Sequence, residues 1–176
     1  MKKNIENILN LCKSSKDRVI KPSNHVAVQI LSQLNEIHDY VDNNIKYDKE
    51  KYQIKISRGA GFFPRNPWIA ILRNGRNVSE NLSVCLCFSK NGNGCILGTM
   101  YFAKSQNKYF KTVERKKLNS DFIDISGSNL KTMHNNHKYI NPMEIPFLKI
   151  DEKKIKAHYK KSIELLEQLD SLRSKN

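Results

Sequence analysis

Two glycines, two phenylalanines, two arginines and the chain's only tryptophan fall within Ser57 to Ile69, which reads S-R-G-A-G-F-F-P-R-N-P-W-I. Flat aromatic surface beside positive charge is what gripping an unstacked nucleobase and its phosphates requires, because every base has a π-face to stack and every phosphate a charge to pair. Gly59 and Gly61 permit close backbone approach, Arg58 and Arg65 offer guanidinium forks, and Phe62 and Phe63 are hard to bury together at adjacent positions. For Trp68 the competing role is a core anchor, since Ile69 and Ile71 flank it and tryptophan is highly buried in most folds.

Other chemistries find less support in the residues. A P-loop hydrolase needs a glycine-rich loop that opens a helix, whereas Gly92-Asn93-Gly94 lies between two expected strands. Glu114-Arg115-Lys116 has the E-x-K form of a nuclease half-motif but lacks the preceding aspartate at a strand end. His134 and His137 sit in a polar loop without two further ligands, and no serine or cysteine lies in a recognisable nucleophile motif. The expectation is a binding domain with no catalytic residues, metal or cofactor.

Charge points the same way. Lysine and arginine number 31 against 17 acidic residues, a net charge of +14, well beyond the magnitude of about 2 to 8 that solubility needs. Such a surface attracts polyanions, so nucleic acid is the leading partner class and an acidic protein the alternative. Arg58, Arg65, Arg73 and Arg76 around the aromatic segment are the first candidates for phosphate contacts. Lys104, Lys108, Lys111, Arg115, Lys116 and Lys117 form a second basic stretch. Cys12, Cys85, Cys87 and Cys95 lie in apolar contexts without zinc spacing and are expected to be buried, reduced thiols. With no signal peptide and no apolar run near the ~20 residues of a membrane span, the product is expected to be soluble and cytoplasmic.

The elements that must position these residues follow from periodicity. Ile5, Ile8, Leu9 and Cys12 recur at helical spacing. Ser23 to Asp42 is expected to form a second helix, with Ser23 as N-cap and Val26, Ile30, Leu31, Leu34, Ile37 and Val41 as its stripe. From Tyr52 the period becomes two, giving strands over Tyr52–Ser57, Trp68–Leu72, Ser83–Phe88 and Cys95–Phe102, with an Asn-Gly hairpin between the last two. Val84 to Phe88 is apolar on both faces and so calls for cover on both, expected from the helices. Lys104–Asn119 reads as a short helix or ordered loop, Asp121–Ser126 as a strand, Gly127–His137 as a loop and Ile145–Ile150 as a last strand. Asp151 opens a terminal helix striped by Ile155, Tyr159, Ile163, Leu166 and Leu169. The sum is one α+β domain: a helical part over 1–45, a curved, mostly antiparallel sheet over 50–150 and a C-terminal helix over 151–172.

Arg58-Gly59-Ala60-Gly61-Phe62-Phe63-Pro64-Arg65-Asn66-Pro67-Trp68-Ile69-Ala70-Ile71-Leu72 resembles the signature of the N-terminal DNA-binding domain of McrB, the specificity component of a modified-cytosine-dependent restriction system. Leu82–Phe88, the asparagine-glycine turn, Cys95–Met100 and Phe122–Ser126 follow in the family's order, and the resemblance spans roughly Leu34 to Leu169. It implies a module that reads methylated or hydroxymethylated cytosine in double-stranded DNA by flipping the base into an aromatic and apolar pocket, with NTP hydrolysis and cleavage left to a GTPase motor and a nuclease. By position, Trp68 and Leu86 would line that pocket. Ala60 stands where the family has an aromatic, which Phe62 or Phe63 would replace. The alternative is non-specific nucleic-acid binding or protein assembly without modified-base selectivity.

Overall fold

The computed structural model describes residues 1–16, 18–59, 61–78, 82–102, 123–125 and 137–174. Ala60, the basic stretch from Lys104 to Lys117, Glu114 and His134 lie outside the described residues. Helix α1 spans Lys2–Ser15 and buries the expected Ile5, Ile8, Leu9 and Cys12. Helix α2 spans His25–Asn44, starting later than the sequence suggests because Asn24, not Ser23, is its cap: the Asn24 carboxamide oxygen accepts from the Val26 amide at 2.9 Å. Its buried stripe is Ala27, Ile30, Leu34, Ile37 and Val41, with Val26 and Leu31 partly covered.

The period-two segments form strands β1 (Tyr52–Ile56), β2 (Trp68–Arg73), β3 (Ser83–Phe88) and β4 (Gly94–Phe102), followed by β5 (His137–Tyr139) and β6 (Met143–Pro146). The described pairings are antiparallel in the order β1-β2-β3-β4. The long β4 divides its outer edge, Gly94–Leu97 pairing with β6 and Met100–Phe102 with β5. The terminal helix α3 spans Glu152–Ser174, and the Asp151 carboxylate caps it by accepting from the amides of Lys153 at 3.0 Å and Lys154 at 3.2 Å.

Two local expectations are corrected. Ile123–Ile125 is not a strand; instead the Asp124 carbonyl accepts from the Lys90 amide and the Asn66 carboxamide, so loop contacts take the place of a ladder. The strand expected over Ile145–Ile150 starts earlier and ends at Pro146, where the chain enters a 3-10 turn over Phe147–Lys149 that leaves Leu148 exposed.

The register separates two sheet faces. Ile69, Ile71, Val84, Leu86, Phe88, Cys95 and Leu97 point to the helices and share a core with α1, α2 and α3. Trp68, Ala70, Leu72, Cys85, Cys87, Ile96 and Met100 point the other way, where Val78, Ile123, Ile125 and Tyr139 cover them. Cover on both faces is therefore present, but among the described residues the helices supply it on one face only. The second face is roofed by side chains from connecting segments and from β5.

All four cysteines are buried and unpaired with one another. Burial pushes the Cys12 and Cys85 thiols up to about 12 and raises Cys87 and Cys95 as well. Since the thiolate is the reactive form, the native protein at pH 8 is expected to take up almost no alkylating reagent, and denaturant should release four equivalents. Mass spectrometry of the labelled chain checks this.

Candidate nucleic-acid interface

β1 and β2 are joined by the aromatic segment, which closes as a wide hairpin. Ser57 and Trp68 lock its base: the Ser57 amide donates to the Trp68 carbonyl at 2.9 Å and the Trp68 amide to the Ser57 hydroxyl at 2.8 Å. On one side the Phe63 amide donates to the Ile20 carbonyl at 2.8 Å, tying the loop to the turn between α1 and α2. The Asn66 carboxamide donates to the Phe88 and Asp124 carbonyls, both at 3.0 Å, tying it to β3 and to the roof of the second face. The loop is a braced platform.

Within it the two phenylalanines part company. Phe63 is 5% exposed and sits in the helix-side core, whereas Phe62 is 61% exposed. The backbone hydrogen bond from Phe63 to Ile20 holds the chain with the Phe63 ring inward and its neighbour outward. Gly59 and Gly61 take φ of +76° and +82°, a region that costs a residue with a Cβ about 1–2 kcal/mol. At Gly59 a Cβ would also run into the Phe62 carbonyl oxygen, while at Gly61 it would meet open space. Gly59→Ala is therefore expected to lower stability by at least about 2 kcal/mol and Gly61→Ala by about 1 kcal/mol, a difference that thermal melting of both variants will read.

Trp68 opens β2 half-buried, its indole against the second-face cluster. Its cross-strand partner is Cys87, and Ala70 and Cys85 form the next pair on that face. Leu86, expected as a pocket wall beside Trp68, pairs with Ile69 and is fully buried on the helix side. A one-residue step along a strand reverses the side chain, so Leu86 and Trp68 cannot line one hollow without breaking the register. Cys87 occupies the position that sequence reasoning missed. The alternation of β3 could have pointed to it, but only once the pairing with β2 was known.

The arginines are spread around this platform. Arg58 is exposed at the start of the loop, beside Lys55, His38 and Asp39 in a groove between α2 and β1. Arg65 stands at its end, on the α1 side. Arg73 lies five residues along β2 from Trp68, about 17 Å away, and contacts the Asp170 carboxylate at 3.5 Å. Asp48, Glu167 and Asp170 line the hollow there. Arg76, exposed beyond the same strand end, accepts a bond from Lys55 through its carbonyl. The structure thus carries Arg58, Gly59, Gly61, Phe62 and Arg65 on the loop that ends at Trp68, with Arg58 and Arg65 on different flanks, and it places Arg73 beside acidic groups at the other end of β2.

No helix of the described residues is long and apolar enough to cross a membrane. Comparison with known proteins finds no match among curated sequences and none among solved structures. A family model described as the MrcB-like N-terminal domain matches residues 7–168. That span runs from within α1 to within α3, and the chain belongs to the MrcB-like N-terminal domain family.

Proposed function

We propose that this domain binds double-stranded DNA and reads a methylated or hydroxymethylated cytosine flipped out of the duplex, as the specificity module of a McrB-type restriction system. Motor and nuclease activities belong to associated domains or subunits. Family membership supports DNA binding in such a system. The finer reading is supported by one observation: Trp68 stands at a strand end on a braced hairpin, packed against the second-face cluster but only partly buried.

The energetics are compatible with this role. Extruding a base costs a few kcal/mol, stacking it on an aromatic ring returns about 1–3 kcal/mol, and phosphate contacts from a +14 chain supply the rest. Phe62, the exposed aromatic of the loop, supplies the flat surface that Ala60 does not, either against the base or in the gap it leaves. Arg58 and Arg65 flank the loop as phosphate contacts, and the cations from Lys104 to Lys117 are proposed to extend that surface.

The test is a binding series on matched duplexes carrying cytosine, 5-methylcytosine or 5-hydroxymethylcytosine at several salt concentrations. A preference for one modified duplex that persists as salt rises is expected. Equal affinity for all three removes modified-base reading and leaves non-specific DNA binding. Absence of binding to any of them at low salt would favour an assembly domain with an acidic protein partner.

A further inference from the structure

At the α1 side of the hairpin, Ser15, Lys16, Arg18, Arg65, Pro67 and Lys90 are among the residues that surround a hollow of about 20 Å³, room for one water molecule or one phosphate oxygen. Lys90 is paired with Asp124 at 2.9 Å. Lys16, Arg18 and Arg65 have no carboxylate among the described residues within ion-pair distance. Cations grouped around one hollow repel one another, and an anion seated among them relieves that repulsion. Lys16 lies at the negative end of the α1 dipole, which offsets part of its charge. Arg18 and Arg65 lie beyond the helix and keep theirs.

Two features make this a built surface instead of chance crowding. The hydrogen bond from the Phe63 amide to the Ile20 carbonyl fixes the hairpin against the turn that carries Lys16 and Arg18. Beneath the cations lies a floor of Cys12, Ile30 and Phe63, and an apolar floor strengthens the attraction of the charges above it for an anion. The opposite flank of the hairpin differs, because Arg58 there shares its groove with Asp39.

We propose that Lys16, Arg18 and Arg65 form a subsite for a backbone phosphate of the bound DNA, so that the strand crosses the α1 side of the hairpin. The proposal rests on the DNA-binding reading above and adds to it two residues and a direction. Guanidinium forks and an ammonium suit phosphate oxygens, and the hollow admits an oxygen but not a base.

The test compares the salt dependence of binding to unmodified and modified duplexes for the wild type and for the triple variant Lys16→Gln, Arg18→Gln, Arg65→Gln. A control carries the same charge change on α3, Lys153→Gln, Lys156→Gln, Lys160→Gln, all exposed positions that line neither the subsite nor the hairpin. Losing a subsite for one phosphate should reduce the log–log salt slope by about 1, so that between 50 and 200 mM salt the triple variant loses about 3- to 4-fold less affinity than the wild type. The loss should be the same on both duplexes, the control slope should match the wild type, and both variants should melt as the wild type does. A wild-type slope in the triple variant, or an equal fall in the control, overturns the subsite while leaving DNA binding intact. A wild type that binds no DNA overturns both.

Discussion

Trp68→Ala is expected to erase the difference in affinity between modified and unmodified duplexes, weakening binding to the preferred one by about 5- to 150-fold while salt-dependent background binding persists. The magnitude is the 1–3 kcal/mol that a base gains by stacking on an aromatic ring. It is a loss of discrimination because phosphate contacts are blind to the base. The structural cost should be modest. Trp68 is half-buried and begins a strand, and its amide and carbonyl hydrogen bonds to Ser57 do not involve the side chain. Truncation removes part of the contact with the second-face cluster, worth about 1–2 kcal/mol, so the melting temperature should fall by less than about 8 °C. A core anchor behaves differently: the variant would melt far lower and lose binding to every duplex together. Melting and titration on the same preparation separate the two.

Cys87→Ala probes the same face from the other strand. Its side chain is fully covered across from Trp68, so its removal shifts what the indole rests on without touching a cation. Leu86, one residue away, serves the helix-side core. That contrast marks where the sequence was legible and where it was not. Helical stripes and period-two strands were readable because each element repeats its own pattern locally: Ile5 to Cys12, Ile30 to Val41 and Ile155 to Leu166 lie buried as their spacing requires. The aromatic hairpin was readable as a site because its residue types are unusual together. Which side chains share a face with Trp68 was not readable, because it depends on the pairing of β2 with β3, set by a connection whose turn type the residues do not announce. The same holds for Lys16 and Arg18, ordinary charges in the sequence until the Ile20 to Phe63 hydrogen bond brings them beside Arg65. Arg73 shows the converse. Close in sequence to the signature, it is carried by an extended strand to an acidic end of the molecule.

The two neighbouring phenylalanines supply the sharpest separation of scaffold from site. Phe63→Ala empties a position that is 5% exposed, between Ile20, Ile30 and the loop prolines, and large-to-small changes at such positions cost about 3–5 kcal/mol. Against a total stability of about 5–15 kcal/mol that is a large share, and the melting temperature should fall by roughly 6–20 °C. Phe62→Ala acts on a side chain that is 61% exposed and packed on little. Its stability should stay within about 0.5 kcal/mol of the wild type, yet affinity for the preferred duplex should fall about 5-fold or more, because an exposed ring on a braced loop is the part of this hairpin that can stack on DNA. The physical reason for the split is the Phe63 amide bond to Ile20, which sets the rotation of the chain and sends one ring inward and its neighbour outward. If Phe62→Ala binds every duplex as the wild type does, the loop grips DNA through its cations and Trp68 without a second aromatic. If instead Phe62→Ala melts early and Phe63→Ala does not, the hairpin is turned over relative to the arrangement described, and the direction assigned to the DNA strand goes with it.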